Sequence, residues 1–139
     1  MKKLIFSLLI LVGLAANVCC NVPDNSIIFR HDADQELKES FPKPCEIVVY
    51  GVKTDGRTEQ LMSFKLSHGQ FVKKWIPTNY ISYRCEFTYQ NIIVRYEFDA
   101  ASLNSLKELD LKADCKKGYG SRGGISRTYT NVRIKAHWH

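Results

Sequence analysis

Two arginines and two glutamates alternate around a short turn in the middle of this 139-residue chain, and their types and spacing suit phosphodiester chemistry. The segments Tyr80–Tyr89 and Ile92–Asp99 flank Gln90-Asn91. Pairing across that two-residue loop sets Glu86 beside Arg95 and Arg84 beside Glu97 on one face. On the other face Tyr83, Cys85, Phe87 and Tyr89 meet Phe98, Tyr96, Val94 and Ile92, as strand alternation requires. A carboxylate that takes a proton and a guanidinium that stabilises a phosphorane-like charge are two parts of such a site. The third is a histidine that protonates the leaving group. His68 is the first candidate, with His137 and His31 as the others, if the fold delivers one. The plainer reading, which we favour, is two exposed cross-strand ion pairs worth roughly 0–1 kcal/mol each.

The second group of residues suits binding rather than catalysis. From Cys20 to Leu111 there are 11 basic and 13 acidic residues, whereas Lys112–His139 holds 7 basic and 1 acidic. Positive charge is therefore confined to the C-terminal end, which points to an anionic partner such as RNA or an acidic protein surface, or to a solubilising face. Tyr129, Arg133, Lys135 and His137 share the odd positions of an alternating segment, Thr128–Trp138. Val132, Ile134, Ala136 and Trp138 take the even ones, the pattern of a half-buried strand. Lys116, Lys117, Arg122 and Arg127 lie in or beside a loop read over Lys116–Ser126. Cations with an aromatic ring among them are the minimum of a single-stranded nucleic-acid site.

Other motifs carry less. Gly118-Tyr119-Gly120-Ser121-Arg122-Gly123 has the G-x-G-x-x-G spacing, but no helical pattern follows it, as a dinucleotide site requires. His137-x-His139 places two imidazoles on one strand face with no third ligand evident, so no metal is expected. No cofactor is expected either.

The elements that position these groups begin after a leader. Met1-Lys2-Lys3 and the apolar run Leu4–Ala16 form a secretory signal, too short for a membrane anchor. We take residues 1–20 as signal and 21–139 as one secreted domain with no membrane span, expected as a monomer. The cut falls after Ala16, Cys19 or Cys20, three alternatives that leave five, four or three cysteines. Export favours disulfides, and Cys20, Cys45, Cys85 and Cys115 would form two bridges in one of three connectivities. Cys85, on the apolar face of its strand, is expected to be buried and bridged.

Asp32–Phe41 reads as a short helix, capped by Asp32 or Asp34 and ended by Pro42 and Pro44. Cys45–Lys53 reads as a buried strand, and Gln60–Ser67 with Phe71–Ile76 as a hairpin around His68-Gly69. In Ala101–Lys112, Leu103, Leu106 and Leu109 have helical spacing, and a helix of about two turns fits them. The fold class that results is α+β: a mostly antiparallel sheet with one or two short helices, stapled by disulfides.

A leader, a small cysteine-containing domain, and the stretches Gln60–Gly69, Tyr83-Arg84-Cys85 and Asn91–Phe98 resemble secreted effectors of plant-pathogenic fungi. The pattern is most similar to powdery-mildew effectors with a ribonuclease-like fold. That resemblance implies a catalytically inactive ribonuclease scaffold, entry into host cells, and binding of host protein or RNA. The functional expectation is a secreted, extracellular, non-enzymatic binding protein that engages a host protein or RNA through its basic surface. The alternative is an extracellular ribonuclease built on Glu86, Arg95, Glu97 and a histidine.

Overall fold

Alternation decides this fold. The computed structural model describes residues 25–33, 44–119 and 123–139. Strand β1 (Ser26–Asp32) turns Ile27, Phe29 and His31 inward and buries all three, and β2 (Cys45–Val52) does the same with Cys45, Ile47 and Val49. Then come β3 (Thr58–Leu66), β4 (Phe71–Trp75), β5 (Ser82–Tyr89), β6 (Ile92–Asp99), β7 (Leu106–Tyr119) and β8 (Ile125–Trp138). A sheet that buries every second residue on one face needs a second sheet against it. The strands accordingly form two four-stranded sheets, β4-β1-β7-β8 and β3-β2-β5-β6. Neighbours are antiparallel except β1 and β7, which run parallel.

Phe29 joins the two layers. Its ring meets Phe64 of the other sheet edge-on at 5.3 Å and lies 6.2 Å from Phe87. Around it the inward rows of both sheets make one core cluster. At the entry to β5, the fully buried Tyr83 donates its hydroxyl to the Pro77 carbonyl at 2.7 Å. This is a tyrosine corner, the device by which sandwich proteins pin the approach to a core strand.

The β5–β6 hairpin has the register expected from alternation, with Tyr89 opposite Ile92, Phe87 opposite Val94, Cys85 opposite Tyr96 and Tyr83 opposite Phe98. Gln90 and Asn91 have φ of 49° and 67°, the two left-handed residues of a type I′ turn. From Val132 to Ala136, β8 keeps the expected alternation, with Val132, Ile134 and Ala136 packed against the core, whereas Trp138, expected on the same side, is exposed.

Several expectations are overturned. The α+β class gives way to a two-sheet β-sandwich, since the single helical element among the described residues is a 3-10 turn at Ala100–Ser102. Leu103, Leu106 and Leu109 do not lie on a helix. Leu106 pairs with Trp138 and Glu108 with His137, so β7 carries one extra residue, Lys107, as a β-bulge. The bulge lets Leu106 and Leu109, three apart, face the core together with Leu111. Asp32 is the last residue of β1 and pairs with Lys112; Asp34–Phe41, and with it the rest of the expected helix, lies outside the described residues. β3 and β4 exist but do not form a hairpin. The turn at His68-Gly69, with Gly69 at φ 78°, carries the chain from one sheet to the other, where β4 pairs with β1. The loop read over Lys116–Ser126 is largely strand, with β7 running to Tyr119 and β8 starting at Ile125.

The disulfide staple is also corrected. Cys45 and Cys85 are both free and fully buried, and no disulfide occurs among the described residues. Cys85 shares its inward row with Tyr83 and Phe87 as expected. Its neighbour on β2 is Val49, four residues from Cys45. With four residues of strand rise and one interstrand spacing between them, the α-carbons of Cys45 and Cys85 are about 14 Å apart, well beyond the span of a disulfide. Burial pushes both thiols up to about 12. Cys20 lies outside the described residues, and Cys115 is placed only by its backbone pairing with Tyr129.

Candidate functional site

The outward face of the β4-β1-β7-β8 sheet gathers exposed rings, cations and carboxylates, and strand register lays them out in rows. In one row Phe71 of β4 stands beside Arg30 of β1, Asp110 of β7 and Lys135 of β8. In the next, Lys73 is followed by Ile28, Glu108 and His137. On one side of these two rows Trp75 pairs with Ser26, and on the other Asp32 is followed by Lys112 and Arg133. Neighbouring residues in a row are separated by the interstrand spacing of about 4.8 Å, and Phe71 and Trp75 lie about 13 Å apart along β4.

Two large rings stand in water at this edge. Phe71 is 60% exposed and Trp75 61%. The Arg30 guanidinium lies 4.6 Å over the Phe71 ring and 3.2 Å from Glu108 Oε1. Cations and carboxylates alternate across the rest of the face. Lys112 is paired with Asp32. His137 Nε2 lies 2.8 Å from Asp110 Oδ2 and 3.8 Å from Glu108 Oε2. Arg133 contacts Asp114 Oδ1 at 3.3 Å and donates to the Asn131 carbonyl at 2.9 Å. The Asn131 amide, and then Arg133, hold the exposed Asp114 carboxyl below its ordinary range. Lys135 is exposed and makes no ion pair among the described residues.

Asp110 is the unusual member, a carboxylate with 4% of its surface exposed. Burial pushes its carboxyl upward; the His137 hydrogen bond pulls it back, and the nearby Glu108 carboxyl adds to the rise. Its Oδ1 is buried without a hydrogen-bond partner. The ligand atoms of Glu108, Asp110 and His137 lie within 4.8 Å of one another. The sequence reading had no third ligand for its histidine pair. The structure supplies two carboxylates from the neighbouring strand, and it leaves His139 outside the group, with its backbone N–H on the Ser105 carbonyl.

The expected basic surface is assembled only in part. Arg133, Lys135 and His137 do share one face, as alternation requires. Between Lys112–Arg133 and Asp114–Thr130, however, β8 carries an extra residue at Asn131, whose φ is 54°. In the backbone register, Thr130 rather than Tyr129 continues the row of Arg133, Lys135 and His137. Lys116 pairs with Thr128, Lys117 with Arg127 and Cys115 with Tyr129, while Arg122 lies outside the described residues. Of the Gly118–Gly123 motif, Gly118 and Tyr119 end β7 and Gly123 is followed by β8, while residues 120–122 lie outside the described residues.

The expected catalytic group is not brought together. Arg95 Nε does contact Glu86 Oε2 at 2.6 Å on the outward face of β5–β6. Arg84 stands opposite Glu97 in register, but its guanidinium lies 4.8 Å over the Tyr50 ring and 3.8 Å from Glu86. His68 packs edge-on against the fully buried His31 at 5.7 Å, and His31 meets Tyr89 on the inward side of β5. Glu86 points the other way from β5, so the sheet stands between it and these two imidazoles. His137 is on the far face of the other sheet.

Residues that the sequence reading passed over are therefore central here: Arg30, Phe71, Lys73, Trp75, Glu108 and Asp110. Their signal is period-two alternation in Ser26–Asp32, Phe71–Trp75 and Lys107–Lys112, with apolar Leu109 and Leu111 marking the inward side. No family model, no curated protein and no solved structure matches the chain significantly.

Proposed function

We propose that this chain is an exported, non-enzymatic β-sandwich binding module that holds a polyanion such as RNA across the outward face of β4-β1-β7-β8, in an effector-like role outside the producing cell. The observation that carries the reading is the combination on that face: exposed Phe71 and Trp75, with Arg30 and Lys135 in the row of Phe71 and Lys73 in the row between the two rings. Exposed rings accept bases by stacking, each worth about 1–3 kcal/mol, while cations track the phosphates. The alternating carboxylates keep such a face only mildly basic and make it depend on salt. The Glu86–Arg95 pair lacks a histidine at its side, which favours binding over cleavage.

Retention of the purified chain on immobilised single-stranded RNA, followed across a salt gradient, tests the proposal. Trp75→Ala, Phe71→Ala and the double change Arg133→Ala with Lys135→Ala are each expected to elute earlier. Asp114→Asn, which frees Arg133 from its carboxylate, is expected to elute later. Elution of all four variants with the parent would refute the polyanion reading. Cleavage of the RNA, abolished by Glu86→Gln together with Glu97→Gln, would replace it with the ribonuclease alternative.

A further inference from the structure

Glu108 and Asp110 are two carboxylates on one face of β7, and both lean toward the single imidazole of His137 on β8. In water such a group would be an ordinary charge cluster. Here Asp110 is almost wholly buried, and one of its oxygens, Oδ1, has neither water access nor a hydrogen-bond donor. The nearest cation, Arg30 Nε, stands 4.0 Å from Oδ1, too far to donate. A cation held by both oxygens of Asp110 would give Oδ1 a partner and offset the cost of leaving it without one.

We propose that Glu108, Asp110 and His137 form a binding site for a divalent transition metal of the zinc class, with water completing the shell. The ligand chemistry is mixed imidazole and carboxylate, which suits zinc, whereas calcium and magnesium take oxygen alone. The spacing fits as well. Ligands at the usual 2.0–2.1 Å from a tetrahedral zinc are about 3.3 Å from one another. His137 Nε2 lies 2.8 Å from Asp110 Oδ2 and 3.8 Å from Glu108 Oε2, on either side of that value. Shifts of about half an ångström bring these two distances to it, and the ligand atoms of all three residues lie within 4.8 Å of one another.

His137 Nε2 lies 2.8 Å from Asp110 Oδ2, and to ligate, the imidazole must offer a bare Nε2, with Nδ1 carrying its proton. Arg30 need not leave. It donates to Oε1 of Glu108, and Oε2 is the oxygen nearer His137. An arginine on a ligating carboxylate orients it, as second-shell partners do. The site draws on β7 and its cross-strand neighbour β8, so the sheet register positions all three ligands. It stands whether or not the same face binds RNA.

The probe is zinc chloride, titrated calorimetrically into the purified, metal-stripped chain, with thermal unfolding as the second readout. We expect one equivalent to bind and to raise the melting temperature. His137→Ala and Glu108→Gln should each weaken affinity tenfold or more, while His139→Ala, at the exposed chain end, should leave it unchanged. Glu108→Gln keeps the shape of the side chain, so its loss of affinity is read on a folded protein, checked by an unaltered melting temperature without zinc. Absence of saturable binding by the parent would overturn the proposal. So would binding retained by both His137→Ala and Glu108→Gln, or lost equally in His139→Ala, either of which places the metal elsewhere.

Discussion

Deleting Lys107 is the sharpest perturbation of the fold. The deletion removes the extra residue that lets Leu106 and Leu109 face the core together. Without the bulge the chain has two choices. Either Leu106 turns outward, or every residue from Glu108 onward inverts and expels Leu109 and Leu111. The first is the lesser loss. Leu106 is fully buried, and exposing a leucine of that kind costs about 1.5–3 kcal/mol in transfer free energy. The space it vacates raises the expected total to about 2–4 kcal/mol, within the range for leucine-to-alanine changes in cores. In urea, with a slope of about 2 kcal/mol per molar, the midpoint should fall by about 1–2 M. Lys107→Ala keeps the residue count and changes an exposed side chain, so it should stay within about 0.5 kcal/mol of the parent. Leu106→Ala should match the deletion in size. A deletion chain that unfolds within 0.5 M of the parent would refute the bulge as the device that positions these leucines.

Two further outcomes are expected. Cys45 and Cys85 should resist iodoacetamide in the folded chain at pH 8, because thiols pushed up to about 12 are ionised to only about one part in ten thousand there. Both should react fully in denaturant with no reductant added; failure to do so would demonstrate a disulfide. Gly51→Ala should lower stability by about 1–3 kcal/mol, since an added Cβ would stand 2.5–2.8 Å from the Tyr80 ring. Tyr80 would then have to move from its hydrogen bond to Glu59, so an unchanged melting temperature would show that the ring yields freely.

Strand alternation was readable along much of the chain because it is a local property. Tyr83–Tyr89 and Ile92–Phe98 could be set in register from their own side chains, since a one-residue slip would expose Phe87 and bury Glu86. The odd-even division of Val132–Trp138 was equally plain. What sequence order concealed were the places where two-residue periodicity breaks. Lys107 and Asn131 each insert one residue, and each insertion changes which neighbours share a face. The first made three leucines look helical. The second separated Tyr129 from the row of Arg133, Lys135 and His137.

Long-range pairing was decided only by the tertiary structure. Ser26–Asp32 and Leu106–Lys112 are far apart in sequence, and their parallel pairing sets Arg30 beside Glu108 and Asp110. No local pattern encodes that neighbour. The same holds for the crossing of the chain at His68-Gly69, which takes Phe71 and Trp75 away from β3 and onto the edge of the sheet that carries His137. The distant cysteines follow the same rule: their spacing suggested bridges, but burial on separate positions of β2 and β5 keeps Cys45 and Cys85 apart. Composition and alternation thus determined strands, an inward face and a basic end, because those depend on residues one or two positions away. Which charges meet, and so which site exists, depends on sheet order and register, and these minimise the exposed apolar surface of the whole chain rather than of any one segment.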